Sequence, residues 1–247
     1  MRSSLVGSEM CIRDSLSIGD RVMCSGASVW AEYAIADYGR VIKIPDNNMD
    51  FATASTLPIA LATMHNAIVT IGNFSKGQTI LIQGASSGVG LMGLQIAKHL
   101  GAKLVIGTST KPEKFDKLKS IGADLVVNSK DKDWVDQVLQ ATNNEGVDLI
   151  IDQLSGYTIN ENMRASKVKG TIVNVGRLAG GNTEFNCDLH ALRRINYRGV
   201  TFRTRSINEI RDVYSKMWND LGDLVVKGKL SLPIEKIFEF DDVSDAL

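Results

Sequence analysis

Three cysteines, Cys11, Cys24 and Cys187, are scattered through 247 residues. They are too few and too far apart for a disulfide framework or a C-x-x-C site, so a reducing compartment is expected. No sign of charge dominates: 28 Lys and Arg balance 28 Asp and Glu, and nothing points to a polyanion partner. Basic residues concentrate only around Arg193–Arg205 and carry no zinc-finger or other nucleic-acid signature. No apolar run approaches the ~18 uninterrupted residues of a membrane helix. The longest stretch, Phe51–Ile71, is interrupted by Pro58, His65 and Asn66. Met1–Ser15 lacks the continuous apolar core of a secretory signal. The expectation is a soluble, cytoplasmic chain with no nucleic-acid or membrane partner. Metal ligands are scarce too. A catalytic zinc needs about three protein ligands, and Cys24, Cys187, His65, His99 and His190 share no metal-like spacing, so no metal is assigned.

What is present is concentrated in residues 79–90, Thr-Ile-Leu-Ile-Gln-Gly-Ala-Ser-Ser-Gly-Val-Gly. Thr79–Gln83 reads as a buried parallel strand. Val89, Met92, Gly93, Ile96, Ala97 and Leu100 then recur at helical spacing. A glycine-rich turn that opens a helix is a phosphate cradle: small residues let the backbone approach a pyrophosphate, and free amides at the positive end of the helix bind it. In the G-x-G-x-x-G register Ala85 and Ser87 replace the first two glycines and Gly90 keeps the third. A turn that merely shapes a strand–helix corner is the alternative.

Context favours the cradle. Further strands are expected at Lys103–Gly107, Leu125–Asn128, Val147–Asp152, Gly170–Val175 and Val200–Phe202, most of them separated by helix-like stretches. A β-α alternation of this kind makes an α/β fold with a doubly wound parallel sheet the economical reading. Ahead of it, Leu16–Met23, Ala31–Ala34 and Val41–Asp46 form short strand-like runs, the outline of a small β module. The leader 1–15 has no clear period. It resembles the translated sequencing-adapter tag at the ends of environmental gene fragments and is set aside from fold reasoning; a genuine disordered N-terminus is the alternative.

Gly19-Asp20-Arg21-Val22, Ala31-Glu32-Tyr33, Ile44-Pro45-Asp46, the Thr63-containing helix after Leu57-Pro58, and Gly84–Gly90 stand in a definite order and spacing. In these features the chain from Leu16 to Leu247 resembles the medium-chain dehydrogenase/reductases, and within them the zinc-independent quinone oxidoreductase branch. The resemblance implies a Rossmann domain over 50–205, the remnant of a GroES-like β catalytic lobe over 16–49, and a segment 206–247 returning to that lobe through a helix and a strand near Pro233–Phe240. Much of that lobe and the family's last helix and strand are expected to lie outside this chain. It further implies NADP(H) as cofactor and a quinone or activated alkene as hydride acceptor. Family members dimerise through their last strands, so a homodimer through an edge strand at Gly199–Thr204 is expected.

Cofactor residues follow from the motif and the resemblance together. The cradle assigns Ala85, Ser86, Ser87, Gly88, Val89 and Gly90. An NAD enzyme usually places an acid about 20 residues past the turn. Here the second strand ends Gly107-Thr108-Ser109-Thr110 with no acid, and Lys111 and Lys114 follow. Hydroxyl donors and a cation suit a 2′-phosphate. By resemblance Lys114 is the phosphate-binding lysine, against the alternative of a solvated lysine in a first helical turn. Asn128 joins the adenosine side, where the family often has a tyrosine and this chain has Ser129. Toward the nicotinamide two strand ends matter, Asp152–Gly156 and Val175–Leu178, because ligands of open α/β sheets lie beyond the strand carboxyl ends. The resemblance assigns Gly176, Arg177 and Thr63 there; a helix threonine bonded to its own backbone is the alternative for Thr63.

No catalytic residue is assigned. Hydride chemistry belongs mostly to the cofactor. His65 reads as structural, with protonation of a developing oxyanion as the alternative; His99 and His190 read as surface helix residues, and Tyr33 as packing. Short-chain dehydrogenases share a similar glycine turn but need a Tyr-x-x-x-Lys pair. Tyr33, Tyr38, Tyr157, Tyr197 and Tyr214 are followed four residues on by Asp37, Ile42, Glu161, Thr201 and Trp218, which excludes that class. An NADPH-binding module with negligible turnover and an enoyl reductase of the same superfamily are the other readings.

Overall fold

The computed structural model describes residues 16–27, 31–45 and 49–246. The leader 1–15, Asp46 and the terminal Leu247 lie outside them. The chain divides into two compact units, Ala60–Arg205 and a second made of Met1–Ile59 with Ser206–Leu247.

The unit Ala60–Arg205 is built on six strands: β3 (Thr79–Ile82), β4 (Leu104–Thr108), β5 (Leu125–Val127), β6 (Val147–Asp152), β7 (Ser166–Asn174) and β8 (Asn196–Gly199). All pairings are parallel and the order is β5-β4-β3-β6-β7-β8. The expected α/β, doubly wound parallel Rossmann sheet is present. Its central strands read as continuous apolar runs because both faces are covered. Ile80, Leu81, Ile82, Ile106 and Ile150 are completely buried, each contributing about 1.5–3 kcal/mol by leaving water. Helix α3 (Gly88–His99) buries Leu91, Met92, Leu94, Ile96 and Ala97 and leaves Lys98 and His99 exposed in its last turn, where the Lys98 cation suits the negative end of the dipole. Helix α4 (Phe115–Ile121) joins β4 to β5, and on the crossover from β5 to β6, α5 (Trp134–Ala141) buries Trp134, Val135 and Val138. Helices α6 (Ile159–Ala165) and α7 (Cys187–Arg193) carry the crossovers to β7 and β8. From β3 the chain winds outward through β4 and β5, then returns to β6 on the other side of β3. The carboxyl ends of β3 and β6 therefore flank the switch point where ligands of open α/β sheets bind.

In the other unit, β1 (Val22–Cys24) and β2 (Val41–Lys43) pair antiparallel. Helix α8 (Ile207–Val226) starts with a Ser206/Glu209 capping box. Arg211 holds Asp37 through Nε–Oδ1 at 3.0 Å and Nη2–Oδ2 at 2.6 Å, and this pairing lowers the Asp37 pKa below the usual carboxylate range.

Four expectations are corrected. Ala31–Ala34 forms no strand, and Tyr33, expected to pack, is 91% exposed. Gly199–Thr204 is not the edge strand; β8, which is, begins earlier and ends at Gly199. Its ladder with β7 runs from Thr171↔Asn196 to Asn174↔Gly199. Beyond it Val200 N–H donates to Asn174 O at 2.9 Å, and β7 offers no further strand residue to pair with. Pro233–Phe240 holds no strand among the described residues, and strand-like composition without ladder hydrogen bonds does not make one. Finally, Pro58, His65 and Asn66 do not interrupt Phe51–Ile71. Helices α1 (Phe51–Ser55) and α2 (Leu57–His65) lead into a π-helical turn at Asn66–Ile71. By length and composition this stretch is long and apolar enough to cross a membrane, yet 61% of its most apolar window is buried in the protein.

Candidate functional site

The turn after β3 is fixed to the end of β4. Ala85 N–H donates to Thr108 O at 2.9 Å and Gly84 N–H to Thr108 Oγ1 at 3.0 Å. Gly84 has φ +67°, the left-handed region that glycine adopts without strain. Ser87 then caps α3: its Oγ accepts from Gly90 N at 3.1 Å and its carbonyl from Leu91 N at 2.8 Å. That leaves the amides of Ser86, Gly88 and Val89 without partners among the described residues. A Cβ on Gly90 would lie 2.6 Å from Gly84 O and 2.7 Å from Ala85 Cα, whereas around Gly88 no heavy atom comes within 4 Å of that position. The turn is therefore closed behind Gly90 and open in front of Gly88. Unpaired amides, open space and the positive end of a helix dipole fit a diphosphate.

Both departures from the glycine pattern now have physical reasons. The Ala85 methyl is fully buried, beside Gly107, whose missing Cβ would approach it to 3.1 Å. Ser87 supplies a capping hydroxyl that glycine lacks.

Across the switch point, the end of β6 forms a tight loop over Asp152–Gly156. Asp152, fully buried, accepts from Leu154 N and Ser155 N through Oδ1, each at 2.9 Å. Burial pushes its pKa above the ordinary carboxylate value. Ser155 sits at φ +56°, ψ −145°, a conformation that costs a non-glycine residue roughly 1–3 kcal/mol. Its hydroxyl donates to Gly176 O at 2.8 Å and accepts from the Asn174 amide, and these bonds hold it there. A Cβ on Gly176 would lie 2.5 Å from Gln153 O; only glycine allows that approach.

The remaining sequence-assigned residues divide by whether their side chains are free. Thr63 is half-buried in α2 and its hydroxyl has no hydrogen bond among the described residues, unlike that of Thr142, which donates to Val138 O at 2.8 Å. Lys111 and Lys114 flank the short turn Pro112–Lys114 ahead of α4 and carry no ion pair among the described residues. Arg177 is exposed and makes no ion pair or hydrogen bond through its side chain among them. By contrast, Thr108 is buried with its hydroxyl committed to Gln83 Oε1 (2.7 Å) and Gly84 N. Ser109, also buried, accepts from Lys111 N at 3.2 Å. The Asn128 side chain is occupied by Asp131 at 2.7 Å and Lys130 N at 3.1 Å. Ser129 lies 3.4 Å from the Tyr157 hydroxyl. His65 is 1% exposed.

Sequence reasoning points to the strand end Asp152–Gly156 but gives Gln153 and Ser155 no role there, and it misses Asn174. The loop after β6 stands out only as a strand end, because the partners of these side chains lie on other strands.

Among the described residues no three His, Cys, Asp or Glu gather as metal ligands. The sequence profile of the family described as zinc-binding dehydrogenase nevertheless matches residues 88–219. Fold and profile agree: the chain belongs to that family, within the medium-chain dehydrogenase/reductase superfamily. Highly reducing polyketide synthase 40 of Fusarium pseudograminearum is 29% identical over 98% of this chain and 9% of its own length. A highly reducing polyketide synthase of Emericella nidulans is 33% identical over 75% of this chain and 7% of its own length. The chain thus spans under a tenth of these curated relatives. Among solved structures, an alcohol dehydrogenase superfamily protein from Novosphingobium aromaticivorans superposes with a TM-score of 0.82 at 26% identity, over 94% of this chain and 70% of its own. A mycobacterial quinone oxidoreductase gives 0.83 at 24% over the same shares, a likeness of fold alone.

Proposed function

We propose that the chain binds NADPH at the turn between β3 and α3 and reduces a quinone or an activated alkene by hydride transfer. The observation that carries this reading is the set of three unpaired amides at Ser86, Gly88 and Val89, set before open space at the switch point of a dehydrogenase-family sheet. The unpaired Lys111 and Lys114 after an acid-free second strand support the 2′-phosphorylated nucleotide. When bound, a reduced nicotinamide supplies the hydride. The chain's part is to seat the diphosphate on its amides, to hold the loop at Gly176 against Gln153 so that backbone approaches the nicotinamide ring, and to offer the Thr63 hydroxyl beside it. The protein is taken to be soluble and cytoplasmic, with no zinc, no nucleic acid and no membrane partner, and to dimerise through the edge strand β8.

A second reading, an enoyl reductase acting on an acyl chain, is favoured by the polyketide synthases among the relatives. Both acceptors carry a double bond conjugated to a carbonyl, so one assay separates them. NADPH oxidation is followed by its absorbance with a small quinone and with a crotonyl thioester. Oxidation by the quinone supports the first reading and oxidation by the thioester alone supports the second. NADPH fluorescence that changes on binding while neither acceptor consumes it would leave only a binding module.

A further inference from the structure

We infer that Gln153 is the positioning residue of the cofactor turn, a role that rests on the reading of that turn as the diphosphate site. Gln153 follows β6 and is 5% exposed. Its amide nitrogen faces two carbonyls, Gln83 O at 3.0 Å and Gly84 O at 3.4 Å. Its amide oxygen lies 3.0 Å from Ser87 Oγ, which has a proton to donate. Only one orientation of the amide satisfies these three neighbours, because the reverse would set oxygen against two carbonyl oxygens.

The consequence reaches the amides through Ser87. The Ser87 hydroxyl has one hydrogen and two acceptors in range, Gly84 O at 2.9 Å and Gln153 Oε1 at 3.0 Å, while its lone pair takes Gly90 N–H at 3.1 Å. Gln153 fixes this hydroxyl from outside the turn, so the cap is bonded to Gly90 and the amides of Ser86, Gly88 and Val89 stay unpaired for a ligand. The same residue's carbonyl accepts Leu178 N–H at 3.1 Å and lies where only Gly176 fits. Gln153 therefore ties the diphosphate turn, by its side chain, to the loop assigned to the nicotinamide, by its main chain. Burial alone does not require an amide at this place; a turn whose amides must hold still does.

The test is a double-mutant cycle on the full chain: Gln153→Ala, Ser87→Ala and the pair, each titrated with NADPH and with 2′-AMP, which lacks the diphosphate bridge, alongside thermal unfolding. Losing a buried hydrogen bond to the cap is expected to weaken NADPH about tenfold in Q153A. Binding of 2′-AMP stays within about twofold, and the double variant is no worse than S87A because both changes act through one hydroxyl. Q153A that binds NADPH like wild type, that loses 2′-AMP equally, or whose loss adds to that of S87A overturns the role. Wild-type protein that binds NADPH no more tightly than 2′-AMP overturns the diphosphate reading, and the role of Gln153 falls with it.

Discussion

Gly88 and Gly90 stand two residues apart in one turn, and opposite outcomes are expected when each becomes alanine. At Gly90 the new methyl would meet main-chain atoms only, Gly84 O at 2.6 Å and Ala85 Cα and C at 2.7 and 2.8 Å. Backbone cannot swing aside as a side chain does, so Gly90→Ala should destabilise by about 1–3 kcal/mol, the range for overpacking. At Gly88 the methyl meets no heavy atom within 4 Å, and φ is not in the left-handed region. Removing a glycine's freedom in the unfolded chain should then stabilise by about 0.4–1 kcal/mol. The space that a methyl at residue 88 would enter is where the diphosphate is placed. Gly88→Ala is therefore expected to raise or keep the melting temperature while weakening NADPH tenfold or more, about 1.4 kcal/mol. Thermal unfolding with and without NADPH reads both effects together. A ligand at about 100 times its Kd stabilises the wild type by about 2.7 kcal/mol, and a tenfold weaker site loses about half of that gain. If G88A binds NADPH as tightly as wild type, the open face of the turn is not the cofactor cradle.

Lys114→Ala should weaken NADPH by roughly 1.5–3 kcal/mol for a charge-assisted bond and leave NADH nearly unchanged; equal losses in the two titrations refute the assignment. Thr63→Val removes a hydroxyl that bonds nothing in the described chain, so stability should stay within about 0.5 kcal/mol. Turnover with NADPH should meanwhile fall about fivefold, the weight of one hydrogen bond, and an unchanged rate removes Thr63 from the site. Asp152 has its pKa raised by burial, so the folded state holds its proton more tightly than the unfolded chain. Its contribution is intact below the ordinary carboxylate range and declines as pH rises from there through the raised value. Melting temperatures across that window should fall in the wild type relative to Asp152→Asn; parallel curves for the two proteins contradict it. Light scattering at micromolar concentration should give a dimer, and a monomer there discards the edge β8 as an interface.

The sheet is legible in the sequence because each strand is a short apolar run between turn residues, and for Val147–Asp152 the expected and observed bounds coincide. Misreadings fall on segments whose state depends on a neighbour. Ala31–Ala34 and Pro233–Phe240 have strand-like composition but join no ladder among the described residues, and strand propensity is mostly a measure of fit to a partner surface. Gly199–Thr204 misleads for the same reason: Val200, Thr201 and Phe202 are good strand formers, yet β8 ends where β7 does. Phe51–Ile71 misleads in the other direction. Pro58 lies in the opening turn of α2, where it withholds no needed donor, and Asn66 is completely buried with its Oδ1 accepting from Arg205 Nη2 at 3.3 Å.

For the site, main-chain roles are readable and side-chain roles are not. Gly84, Gly90 and Gly176 announce themselves because positive φ or close backbone approach leaves glycine as the residue that fits. Thr108 shows the limit. A hydroxyl at the end of a second strand looks like a ligand for a 2′-phosphate, but successive side chains on a strand point to opposite faces, and this one turns inward to Gln83 and Gly84. Register also decides the case of Gln153. Nothing in its local sequence distinguishes it from a solvated loop glutamine. The parallel pairing Ile82↔Ile151 brings the end of β6 level with the end of β3, and from there a glutamine is long enough to reach the cap of α3. A residue whose partner is set by a crossover from a distant strand cannot be read from spacing, because the spacing that matters is across the sheet and not along the chain.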